Sequence, residues 1–148
     1  MNRLEVIAPG LFQMLRNADS AKLTALRIAA CDYVFPILKF TGEENKLLSE
    51  ARACLIETGK LPDKIRSKIE DLADAMDAQY FPLYEADPQN KETYMPFFTQ
   101  ACALHAMSYA GESDPYESAV EAIYEAAQAA ENRSQFLEYL EAMAKTHQ

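Results

Sequence analysis

Residues 93–111 read TYMPFFTQACALHAMSYAG, the longest stretch of the chain without a charged side chain. Its length is compatible with a membrane-spanning helix, but two threonines, a glutamine, His105, Ser108 and the internal Pro96 make it too polar for one. Apolar and small residues make up most of the remainder. We therefore expect this stretch to form a buried central helix on which the other helices pack.

The rest of the chain has the composition of a helical protein. Only four of its 148 residues are glycine, and Val, Ile and Thr do not alternate with polar residues as they do in strands. Ala, Leu, Glu and Lys, which favour helices, are abundant. The predicted fold class is all-α, a single compact bundle of six or seven helices that forms one domain over residues 1–148.

Capping residues, glycines and prolines set the expected helix boundaries. We expect helices at about residues 11–17, 20–40, 43–58, 62–81, 93–111, 115–131 and 134–145. Asp19 or Ser20 should cap the second helix, and Pro36 is expected to kink it or end it early. Pro82 and Pro88 are expected to bound the loop after the fourth helix.

Charge and cysteine content limit the partners and the compartment. The chain has 14 Lys and Arg against 23 Asp and Glu, a net charge of −9, and a pI near 4.7. This balance argues against nucleic acid and anionic membrane as partners and allows a basic protein. Glu5 interrupts the apolar run that an export signal would need, and the cysteines, Cys31, Cys54 and Cys102, lack zinc-site spacing. We expect a cytoplasmic protein without a metal or cofactor, and its oligomeric state stays open.

The acidic side chains of residues 112–131 have no basic residue among them. At helical periodicity they form a candidate partner-binding stripe, about 80° wide, of Asp114, Glu117, Glu121 and Glu125. Such a stripe is either a solvated face or a docking surface for a basic partner. Asp74 and Asp77 form a second candidate patch. The spacing of Asp71, Asp74 and Asp77 is poor for a metal ion, so a solvated face is the favoured interpretation there.

Two further side chains and an aromatic group have alternative interpretations. His105 is either a general base or ligand, or a hydrogen-bonded core histidine, which we favour. Arg27 lies in an apolar stripe and either pairs with a carboxylate or helix end, or binds an anionic ligand. The rings around the Pro82–Pro88 loop either pack in the core or form a protein interface: Tyr80, Phe81, Tyr84, Tyr94, Phe97 and Phe98.

The usual catalytic motifs are missing from the sequence. There is no Gly-rich phosphate loop, no Gly-x-Ser-x-Gly and no His-Glu-x-x-His, and the second histidine, His147, stands next to the C-terminal residue. We therefore predict no catalytic residue and no enzymatic activity.

Two helical segments carry a family resemblance. Residues 29–38 (AACDYVFPIL), a short Gly/Glu turn and residues 45–54 (NKLLSEARAC) resemble the paired helices that open small all-helical immunity proteins of bacterial polymorphic toxin systems. The Ala-rich residues 101–110 and 119–130 are similar to the paired Ala-rich helices of that family, so the resemblance covers about residues 28–130. The internal prolines depart from the family's smoother helices. No toxin-contact residue can be carried over by position.

The resemblance implies a non-enzymatic cytoplasmic protein that binds a cognate toxin and blocks its active site or substrate path. Together with the charge, it predicts an immunity or inhibitor protein whose acidic stripe meets a basic toxin. One alternative is a scaffold or regulatory adaptor that uses an aromatic groove around Tyr84, Tyr94 and Phe97. Another is a helical bundle that binds a small ligand, or acts as an enzyme, in an internal pocket with His105 and Arg27.

Overall fold

The computed structural model describes residues 2–146, and it contains eight α-helices within them. They are α1 (Arg3–Ile7), α2 (Pro9–Arg16), α3 (Ser20–Val34), α4 (Gly42–Thr58), α5 (Asp63–Ala86), α6 (Lys91–Ala110), α7 (Pro115–Ala129) and α8 (Arg133–Thr146). A one-turn 3₁₀ helix, Phe35–Ile37, follows α3. The all-α prediction is confirmed, whereas the predicted count of six or seven helices is too low. His147 lies outside the described residues.

The helix that the sequence analysis missed is α1. It has only five residues, too few for a hydrophobic period to emerge from the sequence. Two local interactions define it: the Asn2 side chain accepts a hydrogen bond of 2.8 Å from the Leu4 N–H, and the Leu4 side chain is fully buried. A capped first turn and one buried side chain thus hold a helix that would not be stable alone.

The central helix is α6, as its uncharged sequence predicts. It packs against α5 on one side and α7 on the other, and α7 in turn packs against α3. α8 contacts α3 and α2, while α4 makes fewer contacts, with α3 and α5. Within residues 2–146 no helix combines the length and the apolar character needed to cross a membrane.

Small side chains fill the contact between α6 and α7. Ala101, Ala106 and Ala110 on α6 are fully buried, as are Ala122 and Ala126 on α7. Because a methyl group takes little space, two helices that meet through alanines can approach more closely than helices that meet through leucines. The Ala-rich composition of these segments therefore has a structural role at this contact.

The prolines act differently from one another. α3 ends at Val34, directly before the 3₁₀ turn that contains Pro36, so the early end considered in the sequence analysis is observed. Pro82 does not begin a loop as expected: α5 continues through it to Ala86. A proline near a helix end removes only one backbone hydrogen bond, and the packing of Tyr80 and Tyr84 on α6 keeps the last turns helical.

Two glycines bring the ends of α4 and α6 together. Gly59 ends α4 with φ +73°, a left-handed conformation that glycine adopts without strain. At Gly111, just after α6, a Cβ atom would lie 2.7 Å from the Leu61 Cβ, so only glycine allows the following segments to meet there. This junction is the place where Arg27 is buried.

The α5–α6 hairpin extends beyond this core. On α5 the buried residues are Ile69 and Ala73, both in its first half. On α6 Tyr94 is the one buried residue before Ala101. The second half of α5 and the first half of α6 therefore carry side chains that are largely accessible to a partner.

Candidate functional site

The first residue of the predicted acidic stripe has a local structural role. The Asp114 carboxylate accepts hydrogen bonds from the N–H groups of Tyr116 (3.0 Å) and Glu117 (3.2 Å). It is the N-cap of α7, and its negative charge lies at the positive end of the helix dipole. Asp114 and Glu117 both remain exposed.

A basic residue from the N-terminus meets the middle of the stripe. Arg3 Nη2 lies 2.9 Å from Glu121 Oε2 and 3.8 Å from Glu125 Oε1, and its guanidinium stacks over the Tyr124 ring with its carbon 4.2 Å from the centroid. Nothing in residues 112–131 neutralises these acids, but α1 supplies the cation from the other end of the sequence. The stripe is therefore partly neutralised in the folded protein.

Glu125 is the least accessible member of the stripe. Its side chain is 13% exposed. Burial raises the pKa of the Glu125 carboxyl, while the nearby His105 and Arg3 and an interaction with the Cys102 thiol act in the opposite direction. The sequence placed Glu125 on an open acidic surface, whereas the structure places it at the boundary between α6 and α7.

The second predicted patch reaches the same place from α5. His105 Nε2 lies 3.0 Å from Asp77 Oδ2, and both side chains are 30% exposed. His105 also lies close enough to Glu125 to affect its pKa. Asp77 on α5 is thus hydrogen-bonded to His105, and Glu125 on α7 lies within electrostatic range of it, so one member of each predicted acidic patch interacts with the same histidine. Asp74, one turn before Asp77, is exposed.

This cluster has the residue types of a catalytic or metal site, but its cysteine is not activated by its surroundings. Burial raises the pKa of the Cys102 thiol well above its ordinary range, and the negative charges of Glu125 and Asp77 raise it further. A thiol in this state is a poor nucleophile. Across residues 2–146 no three His, Cys, Asp or Glu side chains are arranged to hold a metal ion. His105 is hydrogen-bonded, as the favoured interpretation expected, but with its side chain 30% exposed it is not a core residue.

Next to this cluster, the aromatic rings form a stack at the far end of the hairpin. The centroid of the Tyr80 ring lies 5.0–5.6 Å from those of its ring neighbours, Phe81, Tyr84, Tyr94 and Phe98. Tyr84 also meets Tyr94 edge-on at 5.3 Å. The side of the stack formed by Phe81 and Tyr84 is open to solvent, because these residues are 54% and 42% exposed. Of the two neighbouring phenylalanines that the sequence analysis placed in this group, Phe98 joins the stack.

Arg27 is bound at the ends of two helices. The side chain is 3% exposed, and its guanidinium donates to the carbonyl oxygens of Gly59 (2.6 Å) and Glu112 (3.2 Å). These carbonyls follow the C-termini of α4 and α6, where the helix dipoles favour a positive charge. Burial lowers the pKa of Arg27. Its guanidinium lies at the C-terminal end of α6, bonded to backbone carbonyls, whereas His105 lies in the middle of that helix and is bonded to Asp77.

The candidate site is thus a set of acidic and aromatic side chains distributed over α5, α6 and α7. We call it the acidic–aromatic face, and define it by Asp74, Asp77, Phe81, Tyr84, His105, Glu117, Glu121 and Glu125. No protein-family model, curated protein or solved structure matches this chain. The chemistry of the face is that of a protein interface, with exposed rings as contact area and carboxylates at their side.

Proposed function

We propose that this protein is an immunity or inhibitor protein that binds a basic toxin through the acidic–aromatic face and blocks it. The observation that carries the proposal is the row of exposed side chains on α5, where the Asp74 carboxylate lies on the same side of the helix as the rings of Phe81 and Tyr84. The toxin as the partner class comes from the resemblance of residues 28–130 to immunity proteins.

Electrostatics support a basic partner. The chain carries a net charge of −9, so a basic protein is attracted before contact, and such steering raises association rates by roughly 10- to 1,000-fold. The exposed acids Asp74 and Glu117 are available to a partner's lysines or arginines. Arg3 shows on this protein's own surface how a guanidinium is held by Glu121 and the Tyr124 ring.

The second candidate function is a scaffold or regulatory adaptor that binds mainly through its rings. The observation that favours it is the exposure of Phe81 and Tyr84, since aromatic side chains are enriched among the residues that dominate binding energy. The two functions differ in their response to salt. Binding to a toxin through carboxylates weakens as salt screens the charges, whereas binding through rings does not.

The experiment is capture of the tagged protein with its partner from the native cells, washed at low and at high salt, with mass spectrometry of what is retained. We expect one stoichiometric basic protein whose retention falls with salt. Expression of that protein alone in a laboratory host should stop growth, and its co-expression with this chain should restore growth. A retained partner that is not toxic to the host would overturn the immunity proposal.

Charge variants test the face itself. Reversing Asp74, Glu85 and Glu117 to Lys changes three exposed acids on or beside it. The matched control reverses Glu50, Glu57 and Glu138, which are exposed on α4 and α8, and changes the net charge by the same amount. We expect the first variant to slow association at least about tenfold and the control to change it much less. Equal effects would show that only net charge matters.

A further inference from the structure

One stripe of α5 has the spacing of a helix-packing seam. Two of its side chains, Asp77 and Tyr84, contact α6 through His105 and Tyr94, and the side of the stripe away from α6 is open to solvent. Asp74, Asp77, Phe81 and Tyr84 follow one another at intervals of three, four and three residues, which places them on one side of the helix. Asp74, Phe81 and Tyr84 are exposed, and Asp77 is partly so. Over about 15 Å of helix, the stripe changes from acidic near the core to aromatic near the hairpin tip.

We propose that this stripe docks a basic amphipathic helix of the partner protein. The inference rests on the proposed function, because it names the element of the toxin that the face receives. Lysine or arginine side chains of that helix lie opposite Asp74 and Asp77, and its apolar side chains lie on Phe81 and Tyr84. The change from acidic to aromatic along the stripe also fixes the direction in which the partner helix lies.

Charge identifies the occupant as basic. Residues 74–99, which contain the accessible part of the hairpin, carry five acidic side chains and one basic one, Lys91. A second copy of this acidic chain would place like charges opposite each other, and an anionic membrane would be repelled in the same way. A basic helix is attracted by the acids and can place cations against the ring faces of Phe81 and Tyr84.

The hairpin can receive such a helix without rearranging its own rings. Tyr80 and Tyr94 hold the stack from inside, and the Tyr94 hydroxyl donates a hydrogen bond of 2.6 Å to the Pro88 carbonyl in the loop. The exposed rings of Phe81 and Tyr84 rest on this support. Because the support fixes their positions, little conformational entropy is lost when a partner covers them.

The test uses designed peptides, so that it does not depend on identifying the toxin. The first is a basic amphipathic peptide of about 20 residues, long enough to form a helix, whose docking side carries lysines along one half and leucines along the other, with one tryptophan. The second replaces its lysines with glutamates, and the third replaces its leucines with glutamines. This chain has no tryptophan, so the fluorescence of the peptide tryptophan reports binding directly.

Protein variants locate the site. Phe81→Ala with Tyr84→Ala removes the rings, and Asp74→Lys reverses an exposed charge while keeping both rings. The matched control, Ile56→Ala with Tyr139→Ala, removes two side chains that are 56% and 47% exposed elsewhere on the protein. Circular dichroism and thermal unfolding of each variant check that the fold is retained.

We expect the basic amphipathic peptide alone to bind well, with affinity reduced at least about tenfold by the ring variant and by Asp74→Lys. The control variant should bind within about twofold of the original protein. Unchanged binding by the ring variant, or equal binding of the glutamine peptide, would overturn the proposal and leave only unspecific charge attraction. Binding of the glutamate peptide would also overturn it.

The two experiments distinguish a failure of the docking stripe from a failure of the proposed function. If a captured toxin depends on Glu117 and neighbouring acids but not on Phe81 and Tyr84, the inhibitor function stands and the helix-docking stripe fails. If the stripe binds the basic peptide but no toxin is captured, the docking site stands and the inhibitor function fails.

Discussion

The two halves of α6 pack in opposite ways. Its second half, from Ala101 to Ala110, meets α7 through alanines and is almost entirely buried. Its first half meets α5 through the rings of Tyr94 and Phe98, in a stack that leaves Phe81 and Tyr84 open to solvent. Small side chains bring helices close and exclude partners, whereas a stack of large rings stabilises a hairpin and keeps apolar area available for binding.

The largest expected effect is on the free energy of unfolding, and it should differ between the buried half of α6 and the ring stack on its other half. Leu104, in the buried half, is 0% exposed, so Leu104→Ala should lower the free energy of unfolding by about 3 kcal/mol through lost burial and a cavity. Phe81→Ala removes a larger side chain from α5, in the ring stack that packs on the open half of α6, but should cost about 1 kcal/mol or less, the value of one aromatic contact. Urea unfolding measures both. Similar losses at the two positions would show that the hairpin end belongs to the core.

The next largest loss of stability is expected from a change at Arg27, which is buried at the C-terminal end of α6. Arg27→Met should lower the free energy of unfolding by about 2 kcal/mol, because the carbonyls of Gly59 and Glu112 lose a charged donor and remain buried. Thermal and urea unfolding measure the loss, with Arg133→Met, on exposed α8, as the control. A variant as stable as the original protein would mean that the desolvation cost of the buried charge equals the stabilisation from its hydrogen bonds.

A smaller and pH-dependent effect is expected at Glu125, on the boundary between the halves. Its raised pKa means that the folded protein binds this proton more tightly than the unfolded chain does. The corresponding stability is fully present below the ordinary pKa of glutamate and is lost as pH rises through the raised value. Glu125→Gln should therefore be more stable than the original protein at neutral pH, with the difference shrinking toward acidic pH.

Unfolding curves across that pH range measure the effect, with the exposed Glu117→Gln as the matched variant. A Glu125→Gln variant that is less stable at neutral pH would show that the pairing of Glu125 with Arg3 outweighs its burial.

The smallest effect on stability is expected at Arg3, whose guanidinium pairs with Glu121 of the acidic–aromatic face. Arg3→Gln removes an ion pair whose arginine side chain is 56% exposed, so it should cost about 0.5 kcal/mol, as exposed pairs do. The same change leaves Glu121 and Glu125 without their cation and should strengthen binding of a basic peptide at low salt. Weaker binding by this variant would mean that Arg3 helps to form the face rather than competing for it.

The sequence analysis succeeded where local signals dominate. The cap at Asp19, the stop at Gly59 and the start at Asp114–Pro115 all lie where residue type and position predict them. It failed where tertiary packing outweighs a local signal. Pro82 predicts a helix end, but the stacking of Tyr80 and Tyr84 on α6 continues the helix to Ala86.

The candidate site was predictable only in part. Asp77 and Glu125 were both selected from their helical spacing, but no sequence signal relates them, since their meeting depends on how α5 and α7 pack on α6. The same holds for Arg3, which meets Glu121 although 118 positions separate them. A lone cation in a five-residue helix gives no indication of its distant partner.

By itself, the sequence determined the helical class, most helix ends, a central helix near residues 93–111 and an acidic character that favours a basic partner. These follow from backbone preferences and side-chain polarity, which each residue carries in any fold. Only the tertiary structure decided which acids remain open, which are paired or buried, and which rings are exposed. Those properties depend on distances between helices, and such distances are set when the side chains of remote segments pack together.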